Sequence, residues 1–175
     1  MSDLTDQALA LGFSQAVVCT DLALTCHAEL RAYCGPELCP TWGQNWVCPP
    51  GSGTLEHCQA RVDQFHQGIL LRSVTELVPP TPADVYQRLV AAHNQRVHAF
   101  VEQIRAQTTS LLPLSTGGCG LCEQCTYPAP CAHPDIKMES LSAYGIDVGA
   151  ICASAGLPFS FRDDIVYLTA LVLLG

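Results

Sequence analysis

Hydrophobic and polar positions along this chain follow two different periods, and the changes of period mark its elements. Leu4, Ala8 and Leu11 fall on one helical face, so Ser2 to Leu11 reads as a short helix with Gly12 in the stop position. Gln15 to Leu24 then reads as a strand. Thr54 is placed to cap a helix running through Phe65, and Ile69 to Val78 follows with the Ile, Leu and Val density of a second strand. The longest helix opens at Thr81-Pro82, where Thr81 suits the N-cap, Pro82 the first turn and Asp84 the positive end of the dipole. Its apolar stripe, Val85, Leu89, Val97, Phe100, Val101 and Ile104, continues to about Gln107. Ser110 to Leu114 reads as a short strand. Asp147 caps a last helix ended by Gly156, with Pro158 beyond it, and Ile165 to Leu174 is an interior strand. Strands alternating with helices predict the α/β class: a single layered domain over residues 1–175, with a small mixed sheet, flanking helices and two cysteine-rich loops, 34–50 and 117–134, projecting from one end of the sheet.

Composition sharpens this outline. A chain of 175 residues with 49% apolar content can bury an ordinary core, so it has no need of disulfide staples to fold. Its eleven cysteines therefore need another explanation. The chain opens with two acidic residues and has no Lys or Arg before Arg31, unlike a signal or transit peptide, which makes a reducing cytoplasm the expected compartment. Eight basic residues against sixteen acidic ones give a formal charge of −8, which disfavours nucleic acid and anionic lipid as partners. The longest apolar run, Ile165 to Leu174, is half of the roughly 20 residues that a membrane span requires. The acidic balance suits solubility, and it also suits docking on the basic face of a redox partner protein.

The cysteines are not scattered. Cys119, Cys122 and Cys125 fall at intervals of three residues and Cys131 follows six positions later, within a loop opened by Gly117-Gly118. Two residues between thiolates let a tight turn aim both sulfurs at one centre, and glycines permit the positive backbone angles of such a turn. The run is close to the bacterial ferredoxin spacing, although its last gap is five residues instead of three. A 4Fe–4S iron–sulfur cluster is the expected cofactor, because a triplet at equal spacing suits a cube with irons at its corners. Four-cysteine zinc sites, the alternative, more often use two separated pairs.

Cys34, Cys39 and Cys48 form a second set, in a stretch where Pro40 and Pro49 follow two of them. A proline after a ligand has no N–H to bury and turns the chain away from the metal. Trp42, Trp46 and Tyr33 are placed either to wall this site from water or to serve as ordinary core aromatics. Three thiolates leave a four-iron cluster one ligand short. Cys26, His27, His57, Cys58 or a cysteine of the other loop can fill the vacancy, or it stays open to a substrate atom. Cys19, Cys26, Cys58 and Cys152 otherwise read as buried apolar residues, His93 and His98 as solvated or partly packed, and His133 as a surface residue within reach of the cluster. No phosphate-binding glycine loop, nucleophile elbow or His-Glu-x-x-His helix occurs.

Cys34, Cys39-Pro40, Gly43, Cys48-Pro49-Pro50, Gly118-Cys119, Cys122, Cys125, Cys131, Pro134 and Gly145-Ile146-Asp147-Val148 together resemble a bacterial and archaeal family of predicted metal-binding proteins, the domain of unknown function DUF2284. The resemblance spans nearly the whole chain. It implies metal binding and no particular reaction. Family members tend to carry a Met-Glu pair where Leu141-Ser142 aligns here, while Met138-Glu139 lies just before it. The functional expectations are accordingly an iron–sulfur protein passing electrons, an enzyme whose three-cysteine cluster keeps an open iron as Lewis acid, or a structural zinc protein.

Overall fold

The computed structural model describes residues 2–108 and 110–175. In chain order its elements are α1 (Ser2–Ala10), β1 (Gln15–Cys19), α2 (Ala28–Arg31) running into a 3-10 turn (Ala32–Cys34), α3 (Leu55–Val62), β2 (Gln67–Glu76), α4 (Ala83–Ile104), a 3-10 turn (Arg105–Gln107), β3 (Leu111–Ser115), β4 (Glu139–Ser140), α5 (Val148–Ser154) and β5 (Ile165–Leu174). The five strands form one mixed sheet in the order β1-β2-β5-β3-β4. Neighbours are antiparallel except β3 and β4, which pair in parallel through Leu114 with Glu139 and Ser115 with Ser140.

Alternation along the strands sends side chains to two cores. Ile69, Leu71, Ala170 and Val172 face Ala8 of α1 and Val97, Phe100, Val101 and Ile104 of α4. Leu70, Leu171 and Leu173 face the opposite way, onto Cys58 and Val62 of α3, Ile151 and Cys152 of α5, and Tyr144. Helices on both faces bury the sheet, which makes an α/β layered architecture. Each fully buried Leu or Ile contributes roughly 1.5–3 kcal/mol, so the pinning of α4 to the sheet is strong. No helix among the described residues is long and apolar enough to cross a membrane.

Several elements depart from the sequence reading for local reasons. The first strand stops at Cys19, and Asp21 takes a positive φ of 55° that no strand continues through. Leu22 and Leu24 still pack on the core, which is why the apolar pattern ran past the strand end. Thr81 does not cap α4. Its hydroxyl donates to Val78 O at 3.5 Å, and Pro82 holds the N-cap position without a side-chain bond. The two-residue β4 and the four-residue α2 are too short to show a period.

His93 is the clearest correction, because it is fully buried at 0% exposure instead of solvated or partly packed. Its Nδ1 shares a 2.9 Å hydrogen bond with Ser73 Oγ, and its ring meets Phe13 edge-on at 5.7 Å. Burial, helped by the nearby Arg96 charge, pulls its pKa down to about 4. The unfolded imidazole takes up a proton near pH 6.5, and the buried ring refuses it until about pH 4. Stability is therefore full above pH 6.5 and falls through that window by about 1.4 kcal/mol per pH unit. Urea unfolding of wild type and His93→Gln between pH 4.5 and 7 should show this slope in the wild type and its loss in the variant.

Candidate metal centre

β3 delivers the chain to Thr116, and β4 takes it back at Glu139. The intervening loop carries Cys119, Cys122, Cys125 and Cys131, and α4 holds its entrance. Asn94, 5% exposed, donates from Nδ2 to Thr116 O (3.2 Å) and Gly118 O (3.0 Å) and accepts from Ser115 Oγ at 2.8 Å. One turn later, His98 Nε2 donates to Cys119 O at 2.8 Å, which fixes the ring as the Nε2–H tautomer or the imidazolium. Thr116 Oγ1 reaches Thr169 O on β5 at 2.9 Å, and Met138 N donates to Cys119 Sγ at 3.4 Å. Gly120 turns the chain with a φ of +71°, a conformation rather than a lack of space that calls for glycine.

These constraints bring the four cysteines of the loop to one cavity of about 160 Å³, with Trp46, His133 and Lys137 also in its wall. The Cys122 thiol is pushed up by loss of solvent and then by Cys119, Cys125 and Cys131, near enough to oppose its ionisation. A cation at the centre reverses that opposition, because it favours every thiolate at once.

The first loop gathers its three cysteines differently. Asn45 Oδ1 accepts from Val47 N (3.1 Å) and Cys48 N (2.8 Å), and Gly43 N donates to Pro49 O at 2.8 Å, folding the segment back on itself. Thr41 Oγ1 lies 3.2 Å from Cys39 Sγ and 3.4 Å from Cys48 Sγ. Burial pushes the Cys34 thiol up, and its neighbours Cys39 and Cys48 push it further. The reserve ligands stand elsewhere. Cys58 accepts from Arg31 Nη1 at 3.2 Å and donates to Ser52 O at 3.6 Å. Burial, followed by Cys58 and Asp63, pushes the Cys26 thiol up to about 11. His27 faces Glu29 at 3.5 Å, and the His57 ring lies against Gly53.

The two loops lean on each other. Trp46 Nε1 donates to Ala129 O at 2.9 Å, and its ring meets Tyr127 edge-on at 5.1 Å. Trp46 thus walls the cavity of the second loop, while Tyr33 is 72% and Trp42 39% exposed, so neither of these two shields the first site from water. Arg31 ties the first loop to the rest by donating to Ala143 O at 2.7 Å and to Gly53 O. His27 N donates to Gly145 O at 2.8 Å, an approach so close that a Cβ on Gly145 would stand 2.3 Å from His27 O. Behind the cavity, the buried Glu139 takes Arg61 Nη1 at 2.6 Å and Lys137 Nζ at 2.9 Å on one oxygen. Arg61 also bonds Tyr144 Oη, whose pKa is raised by burial and by the Glu139 charge.

Among the described residues no three His, Cys, Asp or Glu side chains are arranged to hold a single ion. Tetrahedral zinc with Zn–S bonds of about 2.3 Å would draw thiolates to about 3.8 Å from one another. The donor chemistry, soft thiolate in two sets, fits zinc or an iron–sulfur cluster, and the second set lines a cavity. Asn94, His98, Lys137, Arg61 and Glu139 were not legible as site residues in the sequence. The only signal was the i, i+4 pair Asn94 and His98 interrupting the apolar stripe of α4. Asn94→Ala leaves two carbonyls and a hydroxyl without their partner. It should cost about 1–3 kcal/mol in urea unfolding and lower the metal retained per chain on gel filtration.

No curated protein and no solved structure matches the chain. The model of one family does, across residues 13–174, which takes in every strand and both cysteine loops. That family is DUF2284, the predicted metal-binding proteins, and the chain belongs to it.

Proposed function

We propose that this metal-binding protein is an iron–sulfur protein of the 4Fe–4S type that passes electrons to or from a redox partner in a reducing cytoplasm. The observation that carries this reading is the cavity of about 160 Å³ that Cys119, Cys122, Cys125 and Cys131 share. A multi-atom cofactor needs such a space between its ligands, whereas a single ion needs the sulfurs almost in contact. These four residues would hold one cluster, and Cys34, Cys39 and Cys48 a second. Bound there, a cluster supplies one-electron storage.

The chain's own residues supply the rest. Lys137 brings a positive charge to the cavity wall and is held there by Glu139, which offsets the negative charge of four thiolates. Asn94 and His98 hold the loop entrance in place when the charge at the centre changes. Trp46, braced edge-on by Tyr127, walls one side of the cavity, which would lower the local dielectric and so tune the potential. The formal charge of −8 favours a partner with a basic docking face.

Anaerobic purification followed by iron, zinc and acid-labile sulfide analysis tests the proposal. Iron and sulfide in equal amounts, roughly four of each per occupied site, are expected. Cys125→Ser should lower both together. Stoichiometric zinc without acid-labile sulfide would overturn the reading in favour of a structural zinc protein.

A further inference from the structure

A second cavity, of about 410 Å³, shares no residue with the cysteine centre and is walled by aromatic rings. The chain has five Phe, five Tyr and two Trp. Four of these rings line this one cavity: Tyr86 near the start of α4, Phe159 and Phe161 on the segment before β5, and Tyr167 on β5. Phe159 anchors the group. It packs on the core beneath α5, meets Phe161 edge-on at 5.4 Å and lies tilted to Tyr167 with ring centroids 6.5 Å apart. Phe161 is 94% and Tyr86 44% exposed, so large apolar faces stand in water beside a concave space. Single exposed rings are ordinary, but rings that converge on a cavity within the roughly 300–1,000 Å³ of small-molecule sites describe a binding site.

The charge beside this cavity points to the sign of its ligand. Arg72 is 0% exposed, its guanidinium lies over the Tyr167 ring at 4.4 Å, and its Nε, Nη1 and Nη2 have no hydrogen-bond partner among the described residues. It meets the cavity only through Tyr167, which lines it. An orphaned cation in the interior acts through a low dielectric, whereas Arg162 in the wall is exposed and closed on Asp164 by bonds of 2.8 and 2.6 Å. The start of α4 adds the same sign, because Thr81 and Tyr86 flank it at the cavity and its N-cap, Pro82, makes no side-chain bond. The opposing carboxylates are weaker: Asp163 and Asp84 are both exposed, and Asp84 is held by Arg88.

We propose that this cavity binds a small planar aromatic ligand that carries one anionic group, such as an aromatic carboxylate. Tyr86, Phe159 and Phe161 take the flat body of the ligand by stacked and edge-on contacts. Its anionic end lies toward Tyr167, whose ring is made less electron-rich by the cation on it. Binding is noncovalent and does not depend on which metal the cysteines hold.

Calorimetric titration of the full, anaerobically purified chain tests this, with 2-naphthoate, its neutral isostere 2-naphthamide and the non-aromatic cyclohexanecarboxylate as probes. 2-Naphthoate should bind saturably at one site per chain, with cyclohexanecarboxylate roughly tenfold weaker or more. 2-Naphthamide should be roughly fivefold weaker than the acid, and Arg72→Leu should bring acid and amide together. Phe161→Ser and Tyr86→Ser should each weaken 2-naphthoate roughly threefold or more while leaving the midpoint of urea unfolding unchanged. No saturable binding of 2-naphthoate to the wild type, equal affinity for acid and amide, or undiminished binding in both Phe161→Ser and Tyr86→Ser would overturn the inference. These three outcomes are read on the wild type and on exposed positions, so they decide the matter even where Arg72→Leu fails to fold.

Discussion

The hydrogen bonds from Asn94 and His98 to the carbonyls of Thr116, Gly118 and Cys119 are the constraint on which the centre depends. A loop that leaves the end of a strand carries backbone groups with no ladder partner, and where it turns inward they need donors. α4 supplies these donors from one face while Val97, Phe100, Val101 and Ile104 fix the helix on β2 and β5. Core packing is thereby converted into the position of a cysteine. The second loop could not hold a stable cavity on glycines and turn residues alone, because their conformational freedom works against order.

Electrostatics explains why a protein of net charge −8 can gather seven thiols in two neighbouring loops. Without metal, loss of solvent and then the neighbouring thiols raise Cys34 and Cys122. A metal bound there would favour the thiolates together, so its binding would release protons and stabilise the fold. Three of the eight basic residues lie beside the cysteine loops. Lys137 and Arg61 converge on the buried Glu139 behind the second cavity, and Arg31 crosses beneath the first loop. A buried ion pair adds little stability by itself, but here it fixes the direction in which Lys137 points.

Much of this was legible in the residues. Long periodic segments announced themselves, including the stripe of α4, the interior strand β5 and the Asp147 cap of α5, whose Oδ1 accepts from Ala150 N at 2.9 Å. The regular Cys-x-x-Cys-x-x-Cys run predicts one centre, and the structure places its cysteines in the wall of one cavity. Long-range choices were not legible. Sheet order depends on which strands meet after folding, and the parallel β3–β4 pair involves two residues. Trp46 was placed by sequence beside the first site and in fact walls the second, since only the tertiary meeting of the loops decides which thiols it faces. Arg72, in the middle of β2, is 0% exposed, with its guanidinium over the Tyr167 ring at 4.4 Å. Composition gives no warning of such a burial.

The central proposal is that Cys119, Cys122, Cys125 and Cys131, on a loop whose entrance α4 fixes, bind a polynuclear cofactor and not a single ion. X-ray absorption at the iron and zinc edges of the anaerobically purified chain tests it most directly, because scattering from a neighbouring metal separates the two. The account predicts an iron edge with sulfur neighbours and a clear iron–iron contribution, weakened when Cys119 is replaced by Ser. A zinc edge with four sulfur neighbours and no metal–metal contribution would contradict it.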